Sequence, residues 1–150
     1  APTVNAYSRM VPGFWAPTAA TWGVENRTTA LRVIPGSAKS QRVEHRLPAA
    51  DANPYLAVAA AIGSGLHGIE NELEPTAPCV GNAYEQEQPA QLALPQSLGE
   101  AARALSRSEV GRSLFGSDFI DHFSQTRLWE EQECRKHISD WELSRYFEII

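Results

Sequence analysis

Several signals that would assign this chain to a familiar class are missing from its 150 residues. Its two cysteines, Cys79 and Cys134, form no CxxC pair, which disfavours a disulfide scaffold and fits a reducing compartment. No apolar run reaches the roughly 18 residues that a membrane-spanning helix needs. The chain begins without methionine and without a basic-then-apolar secretory signal, so we expect it to start within a longer protein. These absences predict a cytoplasmic location and no membrane partner.

The common nucleotide, metalloprotease and hydrolase motifs are also missing. The sequence contains no GxGxxG, GxxxxGK[ST], HExxH or GxSxG, so it lends no support to those site classes. At 43% hydrophobic and 21% charged residues, the composition is that of one ordinary globular domain.

Charge is distributed unevenly along the chain. Residues 1–50 carry six basic and two acidic side chains, whereas residues 51–150 carry 7 basic and 16 acidic ones. A basic segment on a protein of net charge −5 indicates a local anion site. Nucleic-acid binding is disfavoured, because it would need a broader basic face.

The first half of the chain alternates turn-rich and β-rich segments. Residues 11–17 carry two prolines and a glycine around Phe14 and Trp15, which predicts an ordered loop with two large rings near its tip. Residues 28–34 and 41–47 are β-rich and predict neighbouring strands, for which a hairpin is one arrangement.

The second half predicts helices separated by one long loop. Asn53-Pro54 is a typical helix start, and the nearly apolar stretch that follows, to about Ile69, predicts a helix in a core. Residues 74–97 hold four prolines and predict a long loop. Serine start signals then predict helices over about 97–105, 108–114 and 117–137, and a last short helix over 140–147.

The sharpest local pattern lies on the second β-rich segment. Period 2 places Arg42, Glu44 and Arg46 on one face of a strand, with His45 on the other face in a structural role. A carboxylate between two guanidinium groups stays ionised and suits a divalent cation, while the arginines suit phosphate or carboxylate oxygens. The alternative is a solvated strand face with cross-strand ion pairs. Glu44 alone cannot form a metal site, since magnesium wants several oxygen ligands.

Five ordered motifs, together with the end of the chain, resemble the C-terminal catalytic part of the glutamine synthetase family. They are Asn5-Ala6-Tyr7-Ser8-Arg9-Met10-Val11-Pro12-Gly13, Asn26-Arg27-Thr28, Arg32-Val33-Ile34-Pro35, Arg42-Val43-Glu44-His45-Arg46, Asp51-Ala52-Asn53-Pro54-Tyr55-Leu56 and the closing Ser139-Asp140-Trp141-Glu142. The resemblance implies an α+β fold over residues 1–150, with a few antiparallel strands followed by a helical half. It also implies that an N-terminal β-grasp domain and other catalytic segments lie elsewhere in the protein.

The resemblance implies an enzyme that joins the γ-carboxylate of glutamate to ammonia or an amine, using ATP and Mg²⁺ or Mn²⁺, through γ-glutamyl phosphate. It implies a ring-shaped homo-oligomer for the whole protein. The implied site residues are Arg9 for glutamate, Arg27 and Arg46 for glutamate and the transferred phosphoryl group, Arg27, Arg32 and Lys39 for ATP, and Glu44 for a metal ion. Because the transferred phosphoryl group carries negative charge, such chemistry needs converging cations.

One departure from the family pattern concerns the nitrogen donor. Ammonia-using members carry a glutamate where this chain has Trp15, so the sequence resembles the branch of γ-glutamyl-amine or polyamine ligases. An indole face can hold an alkylammonium by cation–π and apolar contact. The alternative is that Trp15 only packs the loop. Tyr84 lies where some bacterial members are adenylylated, but its neighbours differ and no modification is predicted there.

Three other functions stay open at this point. An ammonia-using glutamine synthetase is disfavoured by Trp15. A non-catalytic homologue is disfavoured because a scaffold needs no such set of converging charges. A phosphate- or nucleic-acid-binding module is disfavoured by the acidic second half of the chain.

Overall fold

The computed structural model describes residues 1–149 and has an α+β fold, as the sequence predicted. Three short strands come first, and helices fill the second half. The strands are β1 (Trp22–Val24), β2 (Leu31–Ile34) and β3 (Arg42–His45), and the helices are α1 (Pro54–Glu70), α2 (Leu98–Ser106), α3 (Glu109–Phe115), α4 (Ser117–Cys134) and α5 (Asp140–Tyr146). Short 3₁₀ turns occupy Val4–Arg9, Ala83–Glu85 and Ala90–Leu92.

The sheet has the order β1-β2-β3. Strands β2 and β3 pair in antiparallel fashion, which confirms that these segments are neighbours and places Arg32 directly opposite Glu44. Strand β1 joins β2 in parallel, with Val24 opposite Val33. This parallel pair was not predicted, because three residues are too few to show a strand pattern.

Polar residues at the helix starts confirm most of the predicted boundaries. The Asn53 side chain accepts hydrogen bonds from the amides of Tyr55 and Leu56, and Pro54 occupies the first helical position. The side chains of Ser97, Ser108 and Ser139 each accept a hydrogen bond from the amide three residues on. These bonds satisfy amides that have no partner within the helix.

The fourth helix starts and ends differently from the prediction. Ser117 does not cap α4, because Gly116 precedes the helix in a left-handed conformation (φ 83°) and Ser117 is already helical. Glycine adopts that conformation without steric cost, so it can separate α3 from α4 within one residue. The helix ends at Cys134, three residues before the predicted end at His137.

A small core lies between α2 and α4. Ile120 and Ser124 of α4 are fully buried, and Leu98 and Ala102 of α2 are almost fully buried. The two helices approach so closely that a side chain at Gly99 would collide with the carboxylate of Glu131. The core therefore depends on small residues of α2.

Helix α1 is exposed, and the prediction that it lies in a core is wrong for the part of the chain that the structure describes. Its apolar side chains remain in contact with solvent: Tyr55, Val58, Ile62, Leu66 and Ile69. Helix α1 meets α3, where Gly63 lies against Leu114. On another side, Leu56 and Ala60 of α1 line an open pocket together with residues of α2 and α4. Within these residues no helix has both the length and the hydropathy to cross a membrane.

Candidate active site

The β2–β3 pair brings together a carboxylate and two guanidinium groups. Arg32 Nη1 lies 3.1 Å from Glu44 Oε2, and Arg46 Nη1 lies 2.5 Å from Glu44 Oε1. Arg46 follows the end of β3, and its amide donates to the carbonyl of Ala30, so the backbone pairing extends to this residue. We call Arg32, Glu44 and Arg46 the charged cluster. Both oxygens of Glu44 are thus held by cations.

A second carboxylate joins the charged cluster from strand β1. Arg32 Nη2 lies 2.5 Å from Glu25 Oε2, so one guanidinium bridges two carboxylates. The parallel pairing of β1 places Glu25 there, since its amide donates to the carbonyl of Val33. Glu25 was not a candidate from the sequence. The only available signal was that residues 1–50 contain no acidic residue besides Glu25 and Glu44.

The charges of the cluster reinforce one another. Partial burial raises the pKa of Glu44, but the hydrogen bonds and positive charges of Arg32 and Arg46 outweigh it and hold the pKa below its usual value. The hydrogen bond with Glu25, followed by that with Glu44, raises the pKa of Arg32. Glu44 is therefore an anion and Arg32 a cation at neutral pH.

Three arginines of the site keep a buried donor without an acceptor. The Nε atoms of Arg9, Arg32 and Arg46 are buried and have no hydrogen-bond partner among the described residues. Leaving such a group unpaired costs free energy. Arg127 Nε, outside the charged cluster, is unpaired in the same way, so this feature alone does not mark the site. What sets Arg32 and Arg46 apart is that both bind the carboxylate of Glu44.

Arg9 binds the backbone that follows β3. Its Nη2 lies 2.7 Å from the carbonyl oxygen of Leu47, and 3.3 Å from those of Arg46 and Pro48. The side chain thereby fixes the chain on the C-terminal side of the charged cluster. A guanidinium has five N–H donors, so others stay available for a ligand.

Arg42 and Lys39 lie apart from the charged cluster. Arg42 Nη1 donates to the carbonyl of Ser40 at 3.0 Å, which directs it toward the connection between β2 and β3. Of the predicted strand face, the structure therefore joins Glu44 and Arg46 but not Arg42. Lys39 is exposed in the same connection.

The predicted loop at residues 11–17 is present, and both of its rings are exposed. Phe14 is 69% and Trp15 is 64% accessible. Arg46 Nη2 donates to the carbonyl oxygen of Trp15 at 2.7 Å, and the hydroxyl of Tyr84 donates to that of Ala16 at 2.8 Å. The loop is thus tied to the charged cluster through its main chain.

An open pocket of about 800 Å³ lies beside this loop. It brings Trp15 together with Arg27, Glu25 and Tyr84, although these residues are far apart in sequence. Residues 78–82 form another wall. This wall is fixed to the sheet, because the Asn26 side chain donates to the carbonyls of Cys79 and Gly81.

The chain can supply one ligand to a divalent metal ion through Glu44. A carboxylate has about four lone-pair positions, and the two arginines use two of them. Across residues 1–149, no three His, Cys, Asp or Glu side chains are grouped to hold a metal. A metal ion bound at Glu44 would therefore need further ligands from outside these residues.

Comparison with known proteins covers nearly the whole chain. The family model described as "Glutamine synthetase, catalytic domain" matches residues 1–146. The chain is 45% identical to "Type-1 glutamine synthetase 2" of Dictyostelium discoideum, covering 100% of this chain and 29% of that protein. It is 42% identical to "Glutamate--isopropylamine ligase" of Pseudomonas sp, covering 99% of this chain and 32% of that protein.

The fold also matches a solved structure over nearly the whole chain. A GmaS/ADP complex superposes with a TM-score of 0.80 at 33% sequence identity, covering 98% of this chain and 35% of that one. The chain thus spans about a third of the length of the relatives that it matches.

Proposed function

Because the chain belongs to the glutamine synthetase family, we propose that it forms the C-terminal part of the catalytic domain of an ATP-dependent ligase that joins the γ-carboxylate of glutamate to an amine. The family predicted from the sequence motifs is confirmed by these comparisons. The proposal for this particular branch is supported by a relative named as a glutamate–isopropylamine ligase.

One observation carries the proposal: a single residue, Arg46, connects the charged cluster to the loop beside the Trp15 pocket. Arg46 binds Glu44 with one η nitrogen and the Trp15 carbonyl with the other. A ligase of this kind must bring an anionic acyl group and a neutral amine to the same point. The arrangement supports a cationic site for the acyl phosphate beside an aromatic site for the amine.

In the proposed reaction, a γ-carboxylate oxygen attacks the terminal phosphorus of ATP, which gives γ-glutamyl phosphate and ADP. The amine nitrogen then attacks the acyl carbon, and inorganic phosphate leaves. The ammonium form must lose one proton before this attack and the nitrogen a second after it. We assign Arg27 and Arg46 to the oxygens that gain charge in these steps, where fixed cations lower the barrier most.

The remaining assignments follow the same logic. We propose that Arg9 holds the substrate glutamate, that Arg32 and Lys39 join Arg27 at the ATP phosphates, and that Glu44 binds Mg²⁺ or Mn²⁺. The metal ion would neutralise phosphate charge when it is bound. The charged cluster supports these roles, since the Nη atoms of Arg32 and Arg46 carry more N–H donors than their bonds to Glu25, Glu44 and the Trp15 carbonyl use.

We propose an alkylamine or polyamine as the nitrogen donor. Trp15 presents an exposed ring at the pocket, and an indole offers apolar area and a negative face to an alkylammonium. Ammonium has no apolar stem and gains less from such a ring. Plain glutamine synthesis remains the second candidate, favoured by 45% identity to a protein named as a glutamine synthetase.

For the whole protein we further propose a ring-shaped homo-oligomer in the cytoplasm, without membrane or nucleic-acid partners. The exposed apolar side chains of α1 are compatible with additional protein contacts in such an assembly. A non-catalytic homologue is disfavoured because a scaffold has no need for two arginines that converge on one carboxylate.

Replacing Trp15 with glutamate tests the assignment of the nitrogen donor. We expect the unmodified full-length enzyme to use a mono-, di- or polyamine with a much higher kcat/KM than ammonium. Trp15→Glu is expected to shift this ratio toward ammonium by about tenfold or more, because a carboxylate attracts ammonium and accepts its proton. The measurement is phosphate release with ammonium and with a panel of amines at fixed pH and salt.

Phe14→Glu is the matched control. It adds the same charge one residue away, at a ring of similar exposure that lies outside the Trp15 pocket. Phe14 lines a separate pocket with Arg9, so this variant can raise the KM for glutamate, an effect that cancels in the ratio of the two nitrogen donors. We expect its amine-to-ammonium ratio to stay near that of the unmodified enzyme. If the unmodified enzyme prefers ammonium, the proposed function is wrong and glutamine synthesis replaces it.

A further inference from the structure

The backbone of Trp15 adopts a conformation that a large side chain rarely takes. Its φ is +55°, in the left-handed region where glycine, asparagine and aspartate are favoured. The preceding Gly13 also has positive φ, but it pays no comparable steric cost. A tryptophan held in this way needs contacts from the surrounding structure that keep it there.

Two side chains provide these contacts by binding successive carbonyl oxygens. Arg46 donates to the carbonyl of Trp15, and Tyr84 donates to that of Ala16 at 2.8 Å. They come from different parts of the chain, since Arg46 follows β3 and Tyr84 lies in the short 3₁₀ turn Ala83–Glu85. Ala16 itself is buried, so water cannot easily replace Tyr84 as the hydrogen-bond donor to its carbonyl.

Tyr84 is itself held by its neighbours in the 3₁₀ turn, which is fixed to the connection between β1 and β2. The amide of Ala83 donates to the hydroxyl of Thr28 at 2.9 Å, and the Asn82 side chain caps the turn through the amide of Tyr84. Burial raises the pKa of the Tyr84 hydroxyl, against a smaller opposing effect of Arg46, so this group is a proton donor at neutral pH. The hydroxyl therefore acts as a rigid donor toward the loop.

We infer that Tyr84 is a positioning residue for the nitrogen donor: its hydroxyl holds the Ala16 carbonyl and thereby keeps the Trp15 ring at the pocket. This inference rests on the proposed function for its effect on substrates. Tyr84 also lines the same pocket as Trp15. Its role differs from that of Arg46, whose loss would also disturb Glu44.

Tyr84→Phe tests the inference because it removes one hydroxyl and keeps the ring. In the full-length enzyme we expect the KM for the preferred amine to rise about tenfold, near the upper end of what one neutral hydrogen bond contributes. The KM for glutamate is expected to stay within about twofold. The ratio of kcat/KM for that amine to kcat/KM for ammonium should fall about tenfold as well.

Hydrogen exchange gives a readout that does not depend on the substrate. The amide of Phe14, which donates to the carbonyl of Val11 within the loop, is expected to exchange at least about threefold faster in Tyr84→Phe, because the loop loses one of its two anchors. Tyr146→Phe is the matched control: it removes the same group from a side chain on α5, which does not line the Trp15 pocket, and should change neither the kinetics nor the exchange.

The outcomes separate the two proposals. If the unmodified enzyme prefers an amine but Tyr84→Phe changes neither the substrate ratio nor the exchange, the inference is overturned and the proposed function stands. If the unmodified enzyme prefers ammonium, the proposed function is wrong. Exchange at the Phe14 amide then decides alone whether Tyr84 holds the loop, and equal rates in Tyr84→Phe and the unmodified enzyme overturn the inference.

Discussion

Residues 1–150, expressed alone, are expected to release no phosphate above background when incubated with glutamate, ATP, Mg²⁺ and an amine. Glu44 can supply one metal ligand, and residues 1–149 contain no group of three that could hold the ion. Phosphoryl transfer needs both reactants and the ion to be held in one geometry, and half a site cannot achieve this. We therefore expect a complete loss of turnover relative to the full-length gene product assayed in parallel.

Two controls show whether the inactive chain is folded and whether it self-associates. Circular dichroism should show the helical signal of α1 to α5, which establishes that the inactive chain is folded. Size-exclusion chromatography should detect self-association, because the apolar side chains of α1 are exposed to solvent. Clear turnover by the folded chain would contradict our proposal that residues 1–150 hold only part of the active site.

Within the full-length enzyme, Arg46→Ala and Glu44→Ala are each expected to lower turnover by at least about a hundredfold. Arg46→Ala removes a fixed cation from the proposed acyl-phosphate site and also frees the Trp15 carbonyl. Glu44→Ala removes the proposed metal ligand and leaves the guanidinium groups of Arg32 and Arg46 without their shared anion. Loss of one such preorganised interaction typically costs a few kcal/mol of transition-state stabilisation. Steady-state phosphate release measures the effect.

A second ion pair in the same chain provides matched variants. Arg112 Nη2 lies 2.5 Å from Asp121 Oδ1, which is the same separation as between Arg46 and Glu44, but this pair joins α3 to α4 away from the pocket. Arg112→Ala and Asp121→Ala are expected to keep turnover within about threefold. Near-normal turnover in folded Arg46→Ala or Glu44→Ala would instead assign the charged cluster to an ordinary strand surface.

Local signals in the sequence predicted the local parts of the fold. Alternation over residues 41–47 identified β3, and Asn53-Pro54 identified the start of α1, because both signals act over a few residues. Ser117 misled the same reasoning, since a glycine in a left-handed conformation replaced the expected cap. The parallel pairing of β1 with β2 could not be predicted because β1 has three residues, which are too few to show a periodic pattern.

The candidate site also contains residues that the sequence could identify and residues that only the folded chain reveals. Glu44 and Arg46 were recognisable because strand periodicity places them on one face. Glu25 and Tyr84 could not be recognised as part of the site, because folding alone brings them to their partners, Arg32 and the Ala16 carbonyl. The exposure of α1 escaped prediction for a different reason: an apolar sequence shows that a helix can be buried, but not which surface buries it. The roles of the site residues remain predictions for the experiments above.

The way in which the Trp15 loop is anchored bears on how nitrogen-donor choice can diverge among descendants of one ancestral gene. Both anchoring hydrogen bonds end on carbonyl oxygens, so they persist whichever side chain occupies position 15. A single codon change can therefore alter what the pocket presents while the loop keeps its path. The left-handed backbone restricts the accessible replacements, since β-branched residues are strongly disfavoured there and unbranched or small ones are tolerated better. Substitutions at position 15 that change the nitrogen donor should thus be limited to a few amino acids, and valine, isoleucine and threonine should not be among them.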